Sequence, residues 1–265
     1  MDTQLIVVAI ISAIIGGAIE YVFLIYVWPE RFRIYTWIYK LRNHRELGEP
    51  CKTDLVLDRI GYSLGYSFKR KSALWVTYIV TEDSVGVDVE RGDRFYADTD
   101  IPEKYRVEPN VYKNTGYDKG HLAPSAAIDF SRESNDETFA MSNISFQHPK
   151  LNRQAWGSLE DKVRDWTETK GKLIVATGPI FGARNKRIEG LPVPRRFYKV
   201  IYSYDHQKFI GFIFPNEAIR ASELWNYAMP VEDVENETGY DFFDNLSEDI
   251  QKNKETLDLE FWKDK

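Results

Sequence analysis

The chain has 265 residues, room for one large domain or two small ones, and an ordinary globular composition with 14% aromatic and 29% charged residues. Its single cysteine, Cys51, excludes an intramolecular disulfide. The net charge of −6 excludes a uniformly basic surface, so phosphate binding would fall to local clusters: Lys69-Arg70-Lys71, Arg91 with Arg94, Arg184-Asn185-Lys186-Arg187 and Arg195-Arg196.

In chain order, residues 5–28 come first, a largely apolar run whose only charge is Glu20. Its length suits a bilayer-spanning helix, which needs roughly 20 residues. A cleaved signal peptide fits poorly, because Met1-Asp2-Thr3-Gln4 carries no Lys or Arg and no Ala-x-Ala site follows. Residues 1–28 are therefore predicted to be an uncleaved single-pass membrane anchor. Ser12 and Gly16, like Ala13 and Gly17, are spaced so that two such helices could touch as a homodimer, although chance spacing explains them as well. Residues 29–53 read as a juxtamembrane segment and linker. Arg31, Arg33, Lys40, Arg42 and Arg45 lie among Trp28, Tyr35, Trp37 and Tyr39, and Gly48 and Pro50 follow. The basic excess would put this flank in the cytoplasm; the side faced by the following domain stays open.

Residues 54–248 read as one α+β domain with a mostly antiparallel sheet. The runs Ala73 to Val80 and Val85 to Val89 are predicted strands, and Arg91 to Tyr112 a charged loop. Leu173 to Thr177 is a buried-type strand, and Phe197 to Tyr204 with Phe209 to Phe214 a predicted antiparallel pair. A short helix from Pro230 to Thr238 stops at Gly239. The charged tail, 249–265, is predicted to be a solvated helix or disordered.

The stretch from Tyr117 to Glu160 organises the rest. It opens Asp118-Lys119-Gly120-His121, passes through Ser142-Asn143, and closes Leu151-Asn152-Arg153-Gln154-Ala155-Trp156-Gly157-Ser158-Leu159-Glu160. From Asn152 the apolar residues Trp156, Leu159, Val163 and Trp166 fall three and four apart, a helical stripe, with Asn152 as its predicted cap. The reading is strand, turn, strand, helix, with His121 on the first strand.

These blocks resemble the ββα-metal finger of the DNA/RNA non-specific endonucleases, the family of endonuclease G and the Serratia nuclease. The likeness extends more weakly from Tyr66 to Leu246, through Leu74-Trp75-Val76, Thr177 to Phe181 and Gly239 to Phe243. Several spaced blocks in order are far more specific than one short motif. The departure is Lys119, where the family usually has Arg.

The resemblance implies a nuclease of low sequence specificity that binds DNA and RNA through the phosphate backbone and leaves 5′-phosphate and 3′-hydroxyl ends. It implies His121 as general base and Asn152 as sole protein ligand of a largely hydrated Mg²⁺, with Mn²⁺ as a substitute. An amide oxygen and waters suit such a hard ion. On a continuous helix Glu160 stands about 12 Å along the axis from Asn152 at ~1.5 Å per residue, so a contact through water fits better than direct coordination. Asn143 would help position the site, and Lys119 would bring positive charge to phosphate. The upstream arginine would be Arg91, with Arg94 the alternative. His148 would compete as a metal ligand only in an HNH-type site, and a surface role suits it better. Against each assignment stands a plainer one: a lone histidine in the core, a helix carboxylate in solvent, an asparagine bonding backbone, basic clusters balancing nearby acids. Two other functions remain open, a catalytically weak nucleic-acid-binding or uptake protein and a phosphodiesterase for a smaller or lipid-linked substrate.

Overall fold

Runs of β-branched and aromatic residues fill the middle of the domain and form its sheet. The protein is described by a computed structural model over residues 42–85, 89, 92 and 94–263. The early strands are β1 (Leu55–Asp58), β2 (Ser63–Ser67), β3 (Ser72–Val80), β4 (Asp118–His121) and β5 (Ile144–Gln147). Later come β6 (Leu173–Ile180), β7 (Arg187–Ile188), β8 (Leu191–Pro192), β9 (Arg196–Ser203), β10 (Lys208–Pro215) and β11 (Ala228–Met229). Seven of them form one sheet in the order β1-β2-β3-β6-β9-β10-β11, every neighbouring pair antiparallel. The expected α+β class with a mostly antiparallel sheet matches.

Both sides of this sheet are covered, which explains why its central strands read as continuous apolar runs rather than alternating ones. The helices are α1 (Arg132–Glu137), α2 (Gly157–Lys170), α3 (Val231–Thr238), α4 (Glu248–Gln251) and α5 (Leu259–Lys263). On one side Ile79, Ile174, Val200, Tyr202 and Phe209 pack against Val231 and Val234 of α3 and against Phe242 and Phe243. On the other side lies α2, preceded by Trp156, whose ring meets Phe197 and Phe214. The predicted stripe is the buried face: Leu159, Val163 and Trp166 are all inside. The hairpin β4–β5 stands apart from the main sheet.

Several expectations change. Leu151–Trp156 is a π-helix that runs into α2, and the cap position belongs to Lys150, so Asn152 is not the helix cap. Its amide is engaged elsewhere. Residues 42–53 pack as part of the domain rather than as a linker: Leu47 joins the core, His44 is buried, and the Trp75 indole donates to the Cys51 carbonyl. The charged tail is also folded, with Trp262 fully buried against Trp166. The predicted strand at Val85 to Val89 and the upstream Arg91 fall at or within positions outside the described residues.

The membrane localisation is corrected. Among the described residues no helix is long and apolar enough to cross a membrane, and the run at 5–28 on which the single-pass anchor rested lies outside them. The helix pairing that suggested a homodimer lies there too.

Candidate active site

The hairpin is built so that His121 ends its first strand. Antiparallel pairing sets Asp118 opposite Gln147, Lys119 opposite Phe146, and His121 opposite Ile144. Alternation then turns Lys119 and His121 to one side of β4 and Asp118 to the other. The His121 ring packs against Phe95, centroids 5.5 Å apart, and edge-on against Phe139 at 4.9 Å. The Lys119 ammonium stands 4.8 Å from the centre of the same Phe95 ring, so one phenylalanine holds both polar side chains in place.

Phe95 is itself fixed. The Tyr96 amide donates to the Phe139 carbonyl and the Met141 amide to the Tyr96 carbonyl. Two residues on, the buried Asp98 carboxylate accepts from Ser142 and from Arg59, the latter at 2.8 Å to each oxygen. The loop expected to approach the site therefore does so, and exposed Arg94 adjoins Phe95.

Asn143 is fully buried, and its amide is saturated. Its Oδ1 accepts from the Ala123 amide, and its Nδ2 donates to the carbonyls of Ala123 and Thr138, each at 2.9 Å. It thus clamps the chain immediately after His121, which is a positioning arrangement made wholly of backbone contacts.

On the other side of β4, the Asp118 carboxylate accepts from Asn152 Nδ2 at 3.0 Å and from the Arg153 guanidinium at 2.7 and 2.8 Å. A carboxylate only accepts hydrogen bonds, so it selects the amide nitrogen of Asn152 and turns the oxygen away. An oxygen so directed is the donor type that suits a hard divalent ion. Among the described residues no group of three or more His, Cys, Asp or Glu side chains could hold a metal. The donor chemistry of the Asn152 oxygen therefore fits a hard divalent ion. The π-helix at Leu151–Trp156 belongs to the same arrangement, since wide turns of this kind are rare and concentrate at functional sites.

His148 is not part of it. Its ring Nδ1 accepts the Lys150 amide and its own amide donates to Asn216, so it serves the start of the helix. Glu160 lies on the face of α2 turned to the sheet. Its Oε1 is buried, and burial pushes its carboxyl up against the opposing pull of the Lys199 ammonium. Lys199, fully buried on β9, was not singled out in the sequence. The signal was there: one charged residue inside the apolar run Phe197-Tyr198-Lys199-Val200-Ile201. Asp118 and Arg153 gave no comparable signal, because their partnership spans 35 positions.

The DNA/RNA non-specific endonuclease family profile matches residues 43–249. A nuclease of Syncephalastrum racemosum is 35% identical over 228 residues, covering 76% of this chain and 71% of its own. A nuclease of a Nostoc species is 33% identical over 208 residues, covering 74% and 75%. The crystal structure of an EndoG/EndoGI complex superposes with a TM-score of 0.71 at 28% identity, covering 78% of this chain and 94% of that one.

Proposed function

The chain belongs to the DNA/RNA non-specific endonuclease family, and from that premise we propose that it is a divalent-metal-dependent endonuclease cutting both DNA and RNA to 5′-phosphate ends. The observation that carries the metal dependence is the Asp118 carboxylate bound to the Asn152 amide nitrogen. It leaves one oxygen, beside the strand that ends in His121, for Mg²⁺ or Mn²⁺.

Each residue then has one task. The His121 imidazole takes a proton from the attacking water. Asn143 holds the backbone that follows it, and Phe95 fixes the plane of its ring. The Lys119 ammonium offers a point charge to the scissile phosphate, without the two parallel donors of a guanidinium. With the ion bound, Glu160 would accept hydrogen bonds from its waters. When bound, the ion would supply Lewis-acid stabilisation of negative charge on the phosphoryl group and the departing oxygen. The upstream arginine contact falls to Arg91 or to Arg94.

The test uses the full chain on supercoiled plasmid and on single-stranded RNA, with Mg²⁺, Mn²⁺ or EDTA, followed by ligation to read the ends. Both polymers should be cut, with EDTA stopping the reaction and the DNA ends ligating without prior phosphorylation. Tight binding without turnover would instead establish a nucleic-acid-binding protein. Hydrolysis confined to small diesters would establish a phosphodiesterase for a smaller substrate.

A further inference from the structure

Asp98 lies in the loop that brings Phe95 to the site, and its carboxylate is buried. A buried anion is costly unless donors and opposite charge surround it. Both are supplied here. One Arg59 nitrogen donates to each carboxylate oxygen at 2.8 Å, the Asp100 amide donates to Oδ1 at 3.1 Å, and the Ser142 hydroxyl donates to Oδ2. Arg59 comes from the turn between β1 and β2, 39 positions before Asp98, and its other arm pairs with Asp100. Ser142 comes from 44 positions after it.

The two segments joined at this carboxylate both hold His121. The loop of Asp98 carries Phe95, whose ring meets the imidazole at 5.5 Å. In the same loop the Tyr96 amide donates to the carbonyl of Phe139, the second ring against the imidazole. Ser142 belongs to the turn Met141–Asn143, which holds the chain just beyond His121. There the Asn143 carbonyl accepts the Leu122 amide, and the Asn143 side chain brackets Ala123. The Met141 amide, donating to the Tyr96 carbonyl, joins the same loop and turn through backbone. The Asp98–Ser142 contact joins them through side chains, so a substitution can remove it.

We propose that Asp98, anchored by Arg59, is a positioning residue for the hydrolytic reaction. Through Ser142 it locks the aromatic wall beside His121 to the turn that clamps the following backbone, and so fixes the direction of the imidazole. The inference rests on the role of His121 given above. A carboxylate only accepts, so it holds the Ser142 hydroxyl in one orientation. General-base catalysis needs the imidazole within hydrogen-bond reach of the attacking water, and a misplacement of about 1 Å can cost on the order of 10²-fold.

The experiment is Ser142→Ala in the full chain, which removes the link and leaves the Arg59–Asp98 pair in place. Imidazole ¹H–¹³C NMR signals of the metal-free protein are recorded beside cleavage kinetics, with His121→Ala identifying the His121 signal among those of the four histidines. That signal lies in the ring-current field of Phe95 and Phe139, so it should shift or broaden while those of His44, His148 and His206 stay. kcat should fall about 10-fold or more, with KM for plasmid DNA little changed. An unmoved His121 signal, or a shifted signal with kcat unchanged, would overturn the proposal; a lowered melting temperature alone would leave Asp98 a stabilising ion-pair partner. Should Ser142→Ala fail to fold, Arg59→Lys keeps the charge but loses the guanidinium fork that orients Asp98, and the same two readings decide. A wild type that cuts neither polymer refutes the proposed function instead, while the metal-free His121 signal still reports whether the link seats the ring.

Discussion

At the scale of single residues, the decisive contact is between an acceptor and an amide. Asp118 can only accept, so it fixes which end of Asn152 is presented, and Arg153 completes the carboxylate's coordination. Asp118→Asn removes that selection, because an amide can face Asn152 with either end. We expect the apparent Mg²⁺ or Mn²⁺ affinity of cleavage to fall about 10-fold or more, with little change in melting temperature, because the paired Arg153 is largely exposed and exposed ion pairs add little. Titrating metal against rate decides it; an unchanged metal dependence would detach Asn152 from the ion. His121→Ala should lower the rate on the order of 10²–10⁴-fold while leaving nucleic-acid binding intact. Activity within a few-fold of wild type would exclude His121 as the base. Asn143→Ala is a different kind of change, since it strips partners from the buried backbone of Ala123 and Thr138. Unpaired buried groups cost about 1–3 kcal/mol each, so calorimetry should show a marked loss of stability together with the loss of activity.

At the scale of elements, the hairpin and the wide helical turn form one unit. Gly120 pairs with Ser145 in β4–β5 and leaves room for the Gln147 side chain. An added Cβ would lie 2.6 Å from Gln147 Cβ, a contact that no rotation of the distal amide relieves. Gly120→Ala should therefore displace β5 relative to β4 and cost about 1–3 kcal/mol in urea unfolding. Because His121 follows directly, activity should fall further than stability accounts for; a neutral substitution would show that the hairpin yields more readily than its packing implies. The π-helix closes on the same side, with the Gly157 amide reaching back to the Asn152 carbonyl. That five-residue reach sets Asn152 off the regular α2 spiral, toward Asp118 instead of the cap position.

At the scale of the whole molecule, the segment from Arg42 to Pro50 is bound to the sheet region rather than tethering it. Leu47 enters the core, Glu46 pairs with Lys172, and Asn245 donates to the Glu46 carbonyl. His44 is buried there, its Nε2–H donating to the Ile60 carbonyl while its Nδ1 lacks a partner. Burial, aided by the nearby Arg42, lowers its pKa from 6.5 to about 4. The folded protein thus keeps His44 neutral, whereas the unfolded chain takes up a proton below pH 6.5. The stability this provides is complete above pH 6.5 and is lost as the pH falls toward 4, on the order of 3 kcal/mol. Urea midpoints across that range should fall steeply for the wild type and less steeply for His44→Gln, which can still donate to Ile60. Parallel curves would mean that other groups set the acid sensitivity. A truncation starting at Gly48 would remove both His44 and Leu47 and should unfold far more readily than one starting at Arg42.

The amino-acid sequence determined what local physics can determine. Continuous apolar runs located β3, β6, β9 and β10, the three-and-four spacing of Leu159, Val163 and Trp166 located α2, and the ordered blocks around His121, Asn143 and Asn152 indicated the family. Tertiary structure decided everything that depends on partners distant in the chain. Asn152 looked like a helix cap because a free amide before an apolar stripe usually is one, but Asp118, 34 positions earlier, claims its nitrogen. The charged tail looked solvated because its composition hides Trp262, whose indole reaches the Phe209 carbonyl. Lys199, passed over in the sequence, is enclosed where β9 meets Trp156 and has no solvent contact. A charge in sequence is written as a residue type, but its energy is set by how much water the fold leaves beside it.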